Sequence, residues 1–302
     1  MNAGVVCVGL ATADLIVELP HWPEADGRLV VEALRRSGGG PAATAAVAVA
    51  RLGGHVAMCG AVGSDEAGTG VRDGLAAQGV DVVHLVALEG VTAESVVLLD
   101  RSAATRSILH APGVTLDRLE APARAALEAA SWVHVDHAGW RLAVAAGVPR
   151  GRLSVDAGNP IDGLQLAGLG LYAPTSKALL ARHPRPLGEA IAAALEEGAE
   201  RVVVTFGADG ALGADGTGAW RVPPVRVEVR STLGAGDVFH GALVASLAGG
   251  HSLADALARA NVAAALSCRG LDGREAIPST SELAAAVAEA PTVEPILLDE
   301  VR

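Results

Sequence analysis

Short runs of β-branched apolar residues alternate with alanine-rich stretches along most of the chain, and this rhythm narrows the fold more than any other feature. Residues 5–8, 55–59, 132–135, 153–155 and 202–205 are almost continuously apolar, the pattern of strands buried on both faces. Residues 41–52, 123–130, 187–197, 243–247 and 253–266 carry helical spacing. Repeated strand–helix units of this kind build a parallel sheet flanked by helices. The expectation is one doubly wound, mostly parallel α/β domain over residues 1–302, with no fixed-period repeat and no linker dividing it. Aromatic residues are only 2% of the chain, so alanine and valine must fill the core, which suits helices packed closely on a sheet.

Two segments break the rhythm. Residues 15–36 and 95–109, the latter with an Asp100-Arg101-Ser102 turn, look like short antiparallel strands inserted into the βα pattern. They predict a small β lid, within about 12–37 and 91–110, beyond the C-terminal strand ends where open α/β sheets place their ligands. The cleft between lid and sheet is the expected site.

The charge balance excludes other classes. A formal charge of −11 without a Lys/Arg-rich run gives no surface for nucleic acid or an anionic membrane. Cys7, Cys59 and Cys268 are far apart and lack metal or disulfide-framework spacing, which points to a reducing cytoplasm. The first residues run into a strand-like segment without the pattern of an export signal. The longest uncharged runs, such as 238–253, are shorter than the roughly 18 residues of a membrane span.

The most informative stretch is Ser231-Thr232-Leu233-Gly234-Ala235-Gly236-Asp237-Val238-Phe239-His240-Gly241. A glycine-rich turn opening a helix presents the N–H groups of Gly234, Ala235 and Gly236 with few side-chain atoms in the way, and the helix N-terminus favours an anion. A carboxylate directly after that turn, Asp237, is placed to accept the proton of an attacking hydroxyl during phosphoryl transfer. An ordinary helix entry would use the same residue types, since Gly suits the turn and Asp the helix dipole. Near the N-terminus, Asp14 is suited to accept hydrogen bonds from two hydroxyls of a polyol, although it also suits a strand-end turn.

These residues sit in motifs that resemble those of the PfkB, or ribokinase-like, carbohydrate kinases. Residues 231–241 resemble the family's DTxGAGDxFxxG. Ser37-Gly38-Gly39-Gly40-Pro41-Ala42-Ala43-Thr44 resembles GGxxAN, and Gly60-Ala61-Val62-Gly63-Ser64-Asp65-Glu66-Ala67-Gly68 matches GxVGxDxxG. Gly9 with Asp14 matches the opening GxxxxD, and Thr205-Phe206-Gly207-Ala208-Asp209-Gly210 matches TxGxxG, so the likeness covers essentially the whole chain. The resemblance implies a ribokinase-like fold and transfer of the γ-phosphoryl of ATP to a sugar hydroxyl. It implies Asp237 as base, with Gly234, Ala235 and Gly236 around the transferring phosphate. Asp14, Gly39, Gly40 and Thr44 are implied to bind the sugar, and Thr205, Gly207, Gly210 and Asn261 the nucleotide. Relatives commonly pair through their lids, so a homodimer is implied as well.

The departures from the pattern are as specific as the matches. Ser231 stands where the family usually has an Asp that helps to hold a monovalent cation, which leaves potassium activation without its usual side chain. Pro174-Thr175-Ser176-Lys177-Ala178 occupies the place of the NxxE segment that organises magnesium, so the sequence names no magnesium ligand, although transfer between polyphosphates still calls for Mg²⁺. Thr44 in place of Asn, with the Gly273-Arg274 to Pro278 tail, resembles the branch containing sulfofructose kinase. An anionic acceptor would call for arginine donors, for which Arg28 and Arg106 in the expected lid strands are the candidates, and His110 is a candidate for a substrate hydroxyl. His spacing offers no metal cluster, and Ser64, Ser154 and Ser231 lack the GxSxG context of a hydrolase. Two alternatives remain: a nucleoside kinase of the same family, and a catalytically silent sugar- or nucleotide-binding protein.

Overall fold

The computed structural model describes residues 4–31, 33–102 and 105–301. The chain opens with β1 (Val5–Val8), leaves the main sheet through β2 (Thr12–Leu19) and β3 (Leu34–Gly39), and returns by α1 (Pro41–Arg51) and β4 (Val56–Gly63). Helix α2 (Glu66–Ala77) leads into β5 (Asp81–Leu88), after which β6 (Glu94–Asp100) and β7 (Thr105–Ala111) again stand apart from the main sheet. Then follow α3 (Ala121–Ala129), β8 (Trp132–Val135), α4 (Trp140–Ala145), β9 (Leu153–Ala157), β10 (Leu171–Pro174), α5 (Ser176–Arg182), α6 (Leu187–Glu196) and β11 (Arg201–Thr205). The hairpin β12 (Ala211–Asp215) and β13 (Gly218–Val222) precedes α7 (Ala235–Ala248), α8 (Leu253–Ser267), α9 (Thr280–Glu289) and β14 (Glu294–Ile296).

Ten strands form the main sheet in the order β14-β13-β12-β11-β10-β9-β8-β1-β4-β5. The ladders from β11 to β5 are parallel, and only the β12, β13, β14 edge is antiparallel. Side chains of a strand alternate between faces. Accordingly Val5 and Cys7 join the core under α1, α7 and α8, while Val6 and Val8 join the core on the other face with residues of α3, α4 and α6. Small residues let the helices approach closely. A Cβ at Gly241 of α7 would lie 2.8 Å from the Ala48 Cβ of α1, so this crossing has no room for a larger side chain.

The second sheet has the order β3-β2-β6-β7. The expected antiparallel pairing holds within β2–β3 and within β6–β7, but the central pair β2–β6 is parallel, with Ala13 beside Glu94. The reason lies in the main sheet. Strands β2 and β6 continue from β1 and β5, which are parallel members of that sheet, so they leave it in the same direction. Asp65 fixes the corner before β6. It caps α2 by accepting from Gly68 N at 2.8 Å and also takes Thr92 N at 2.9 Å, and these bonds, those from Thr92 first, hold its carboxyl below the usual range. Among the described residues no helix is long and apolar enough to cross a membrane.

Candidate active site

The turn before α7 leaves backbone donors unpaired at a helix start. Gly234, its N-cap, takes φ 71°, a left-handed conformation that costs a residue with a Cβ, and a Cβ there would lie 2.7 Å from Gly273 Cα. The glycine turn therefore rests directly on the 268–278 loop. Among the described residues the N–H groups of Gly236 and Asp237 make no hydrogen bond, so they are orphan donors at a helix start. Ala235 N reaches only Thr232 O, at 3.4 Å. Asp237 is the third residue of α7 and is partly buried. Burial first, and then the charge of Asp156, push its carboxyl up to about 7 against the opposing pull of His240. A carboxyl poised near neutrality beside unpaired donors can take a proton from a hydroxyl while the donors hold a phosphoryl oxygen.

The second sheet supplies the other wall. Asp14 lies inside β2 rather than at a strand end, and accepts a 2.8 Å bond from Thr12 Oγ1. Burial raises its pKa, opposed by that bond and by Arg274. Gly39 ends β3 where any Cβ would fall on the Asp14 carboxyl, so the glycine gives Asp14 its space. Gly40 caps α1 at φ 93°, again left-handed. Thr44, one turn into α1, is buried and receives Arg274 Nε at 3.3 Å, while Arg274 Nη2 donates to Gly39 O at 2.8 Å. His110 on β7 sits 3.2 Å from Ser95 Oγ on β6, and Ser95 is the cross-strand neighbour of Asp14. Asp14, Ser37, Gly38, Ser95, Asp272 and Arg274 border a cleft of about 1270 Å³ whose far wall is α2. Asp237 and the glycine turn are not part of that lining.

The expected nucleotide residues meet at the other end of the sheet. Thr205 ends β11, Gly207 opens a single 3₁₀ turn, and Gly210 closes it against Val222 and Pro223. Asn261 of α8 donates Nδ2 to Pro223 O at 2.8 Å, so it joins the same corner through that connection.

Not every candidate is gathered in. Arg28 lies exposed on the connection between β2 and β3 and does not line the cleft. Arg106 of β7 donates to Thr232 Oγ1 at 2.5 Å, which ties the second sheet to the glycine turn. Ser231 uses its hydroxyl to accept from Leu233 N at 3.1 Å. Among the described residues no group of three or more His, Cys, Asp or Glu side chains is arranged to hold a metal ion.

Three residues at the site were given no role by the sequence, although Arg274 lies in the 273–278 tail and His240 in the 231–241 stretch. Arg274 is 8% exposed, and burial lowers its pKa to about 10 against the charges of Asp14, Asp272 and Asp237. Asp156 and His240 lie 3.0 Å apart, Oδ2 to Nδ1, next to Asp237. Their only signals were a carboxylate at a strand end and a histidine one helical turn after Asp237.

The chain is similar to known proteins over most of its length. The sequence profile of the pfkB family carbohydrate kinases matches residues 2–149 and 178–280. An ATP-dependent ribose-1-phosphate kinase of Halopiger xanaduensis is 29% identical over 300 residues, covering 94% of this chain and 98% of its own. Fructoselysine 6-kinase of Escherichia coli is 29% identical over 235 residues, covering 75% and 88%. In fold, the Arabidopsis thaliana ribokinase complexed with ribose and ATP superimposes with a TM-score of 0.80 at 21% identity, covering 95% and 99%. The chain belongs to the pfkB family of carbohydrate kinases, ATP-dependent phosphotransferases whose acceptor is a sugar hydroxyl.

Proposed function

We propose that Asp237 is the general base of this kinase and that it deprotonates a primary hydroxyl of a sugar or sugar derivative as that oxygen attacks the γ-phosphorus of ATP. The observation that carries this reading is the carboxyl of Asp237, pushed up to about 7, directly after a left-handed glycine turn whose Gly236 and Asp237 amides have no partner among the described residues. The acceptor oxygen forms a bond to phosphorus, its proton passes to Asp237, and the bond from the γ-phosphorus to ADP breaks. Asp14, fixed by Thr12 and given room by Gly39, orients the sugar from the second sheet, which acts as a lid. Thr205, Gly207, Gly210 and Asn261 form the nucleotide end. Mg²⁺ suits the triphosphate because it offsets charge on the phosphates, and with no carboxylate cage among the described residues it would be held chiefly by phosphate and water.

The test is ADP release with MgATP against a panel of ketoses, aldoses, sugar acids, sulfosugars, sugar phosphates and nucleosides, with Asp237→Asn alongside. Release that depends on one sugar class and falls roughly 10²- to 10⁴-fold in the variant is expected from loss of a general base. Equal activity of the variant would remove Asp237 from that role, a nucleoside acceptor would assign the chain to the nucleoside kinases, and binding without turnover would mark a silent binder.

A further inference from the structure

One turn along α7 from Asp237, on the same face of the helix, His240 points into the sheet and is 3% exposed. Its Nδ1 lies 3.0 Å from Oδ2 of Asp156, the next-to-last residue of β9. The contact has ion-pair distance without the alignment of a full hydrogen bond. Asp156 is 8% exposed and also accepts Gly158 N at 2.9 Å. From β8, His134 sets its ring 6.1 Å from that of His240 and bonds Ser154 Oγ at 3.0 Å, and burial pushes it down to about 4, so it stays neutral.

The remaining charges around the pair are few. Asp136, just after β8, accepts from the backbone N–H groups of Leu10, Ala42, Ala138 and Gly139 and is satisfied by them. Arg274 reaches Asp237 electrostatically from the 268–278 loop. Cys7 of β1 is a thiol that burial keeps neutral, and at its close crossing with α7 the helix α1 presents Ala45 and Ala48, which bear no charge. Asp156 is a buried carboxylate and Asp237 a partly buried one, and His240 touches the first and stands one helical turn from the second. Two neighbouring carboxylates screened from water resist ionising together unless a positive group offsets them. Burial alone would discharge His240, but Asp156 and Asp237 outweigh it and its pKa rises. Asp156 in turn is held down at about 2 despite its burial.

We propose that Asp156 and His240 are a positioning pair, a buried ion pair that sets the charge state of Asp237 without touching the substrate. The inference deepens the reading of Asp237 as base and rests on it for its catalytic meaning. Asp156 raises the cost of charging Asp237, and protonated His240 lowers it, so the two act in opposite directions.

The experiment follows the Asp237 carboxyl directly by carbon-13 NMR titration of protein labelled at aspartate, its signal assigned by its loss in Asp237→Asn. His240→Gln, which leaves Asp156 charged, should move the Asp237 midpoint to higher pH by about one unit, a roughly tenfold change in proton affinity. Asp156→Asn also removes the charge that keeps His240 protonated, so it should move the midpoint by clearly less, and the double variant should match Asp156→Asn. Circular dichroism and melting curves check that each variant folds, and if Asp156→Asn does not, the shift in His240→Gln decides. A midpoint unmoved or lowered in His240→Gln overturns the proposal. If the NMR midpoints separate as expected while the acid limb of kcat/KM stays in place, the pair stands and the reading of Asp237 as base fails.

Discussion

Asp237 is a residue on which stability and activity make opposite demands. Its carboxyl is pushed up to about 7 in the folded protein, whereas in an unfolded chain it would titrate near ~3.9. The native state therefore binds that proton more tightly than the unfolded state does. The resulting stability is complete below about pH 4 and is lost as the pH rises through about 7. Asp237→Asn cannot ionise, so its melting temperature should gain on that of the wild type across this window and level off above it. Melting curves of both proteins from pH 4 to 8 check this, and a constant difference would contradict it. The sequence made Asp237 legible because turn, carboxylate and helix start are contiguous. Asp156, His240 and Arg274 were not legible as a group, because β9, α7 and the 268–278 loop bring them together only in the folded chain.

Between elements, the lid is docked by side chains from two short segments of the main domain. Arg35 of β3 pairs with Glu275 at 2.8 Å, Glu18 of β2 with Arg230 at 3.5 Å, and Arg106 of β7 with Thr232. Between them Ile16, Val97 and Leu99 pack on Leu271, with Leu233 beside them. Each exposed ion pair contributes no more than about 1 kcal/mol. Arg35→Ala should accordingly raise KM for the sugar about two- to fivefold and leave kcat close to wild type, as measured by steady-state kinetics. An unchanged KM would show that this contact does not help to hold the lid over the acceptor. The sequence showed strands such as β1 and β8 well, since continuous apolar runs can only be buried. Of helix α7 the sequence showed the start, at the glycine turn, and the stretch 243–247, but no period joining them, because Val238 to Val244 are buried and leave no polar stripe. The hairpin of β12 and β13 was missed for the opposite reason: Ala211-Leu212-Gly213-Ala214 has neither β-branching nor alternation to mark it.

The molecule as a whole leaves part of one lid face uncovered. Leu34 and Leu109 are 64% and 56% exposed, and the pairing register places them on the face opposite Ile16 and Val97, beside Val96, which borders the cleft. A second copy of the chain would bury them by two-fold contact. Sedimentation velocity should find a dimer, and Leu109→Glu should dissociate it. A wild-type monomer at tens of micromolar would remove the dimer reading.

The parallel seam between β2 and β6 has a mechanical consequence. Because the lid is made from two separate stretches of chain, it is moored to the main domain at four points: before β2, between β3 and α1, before β6, and after β7. No single hinge can swing it. Any opening has to bend all four moorings together, as a plate tilts on its corners, and the glycines at 9, 40, 90 and 113 stand at those four corners.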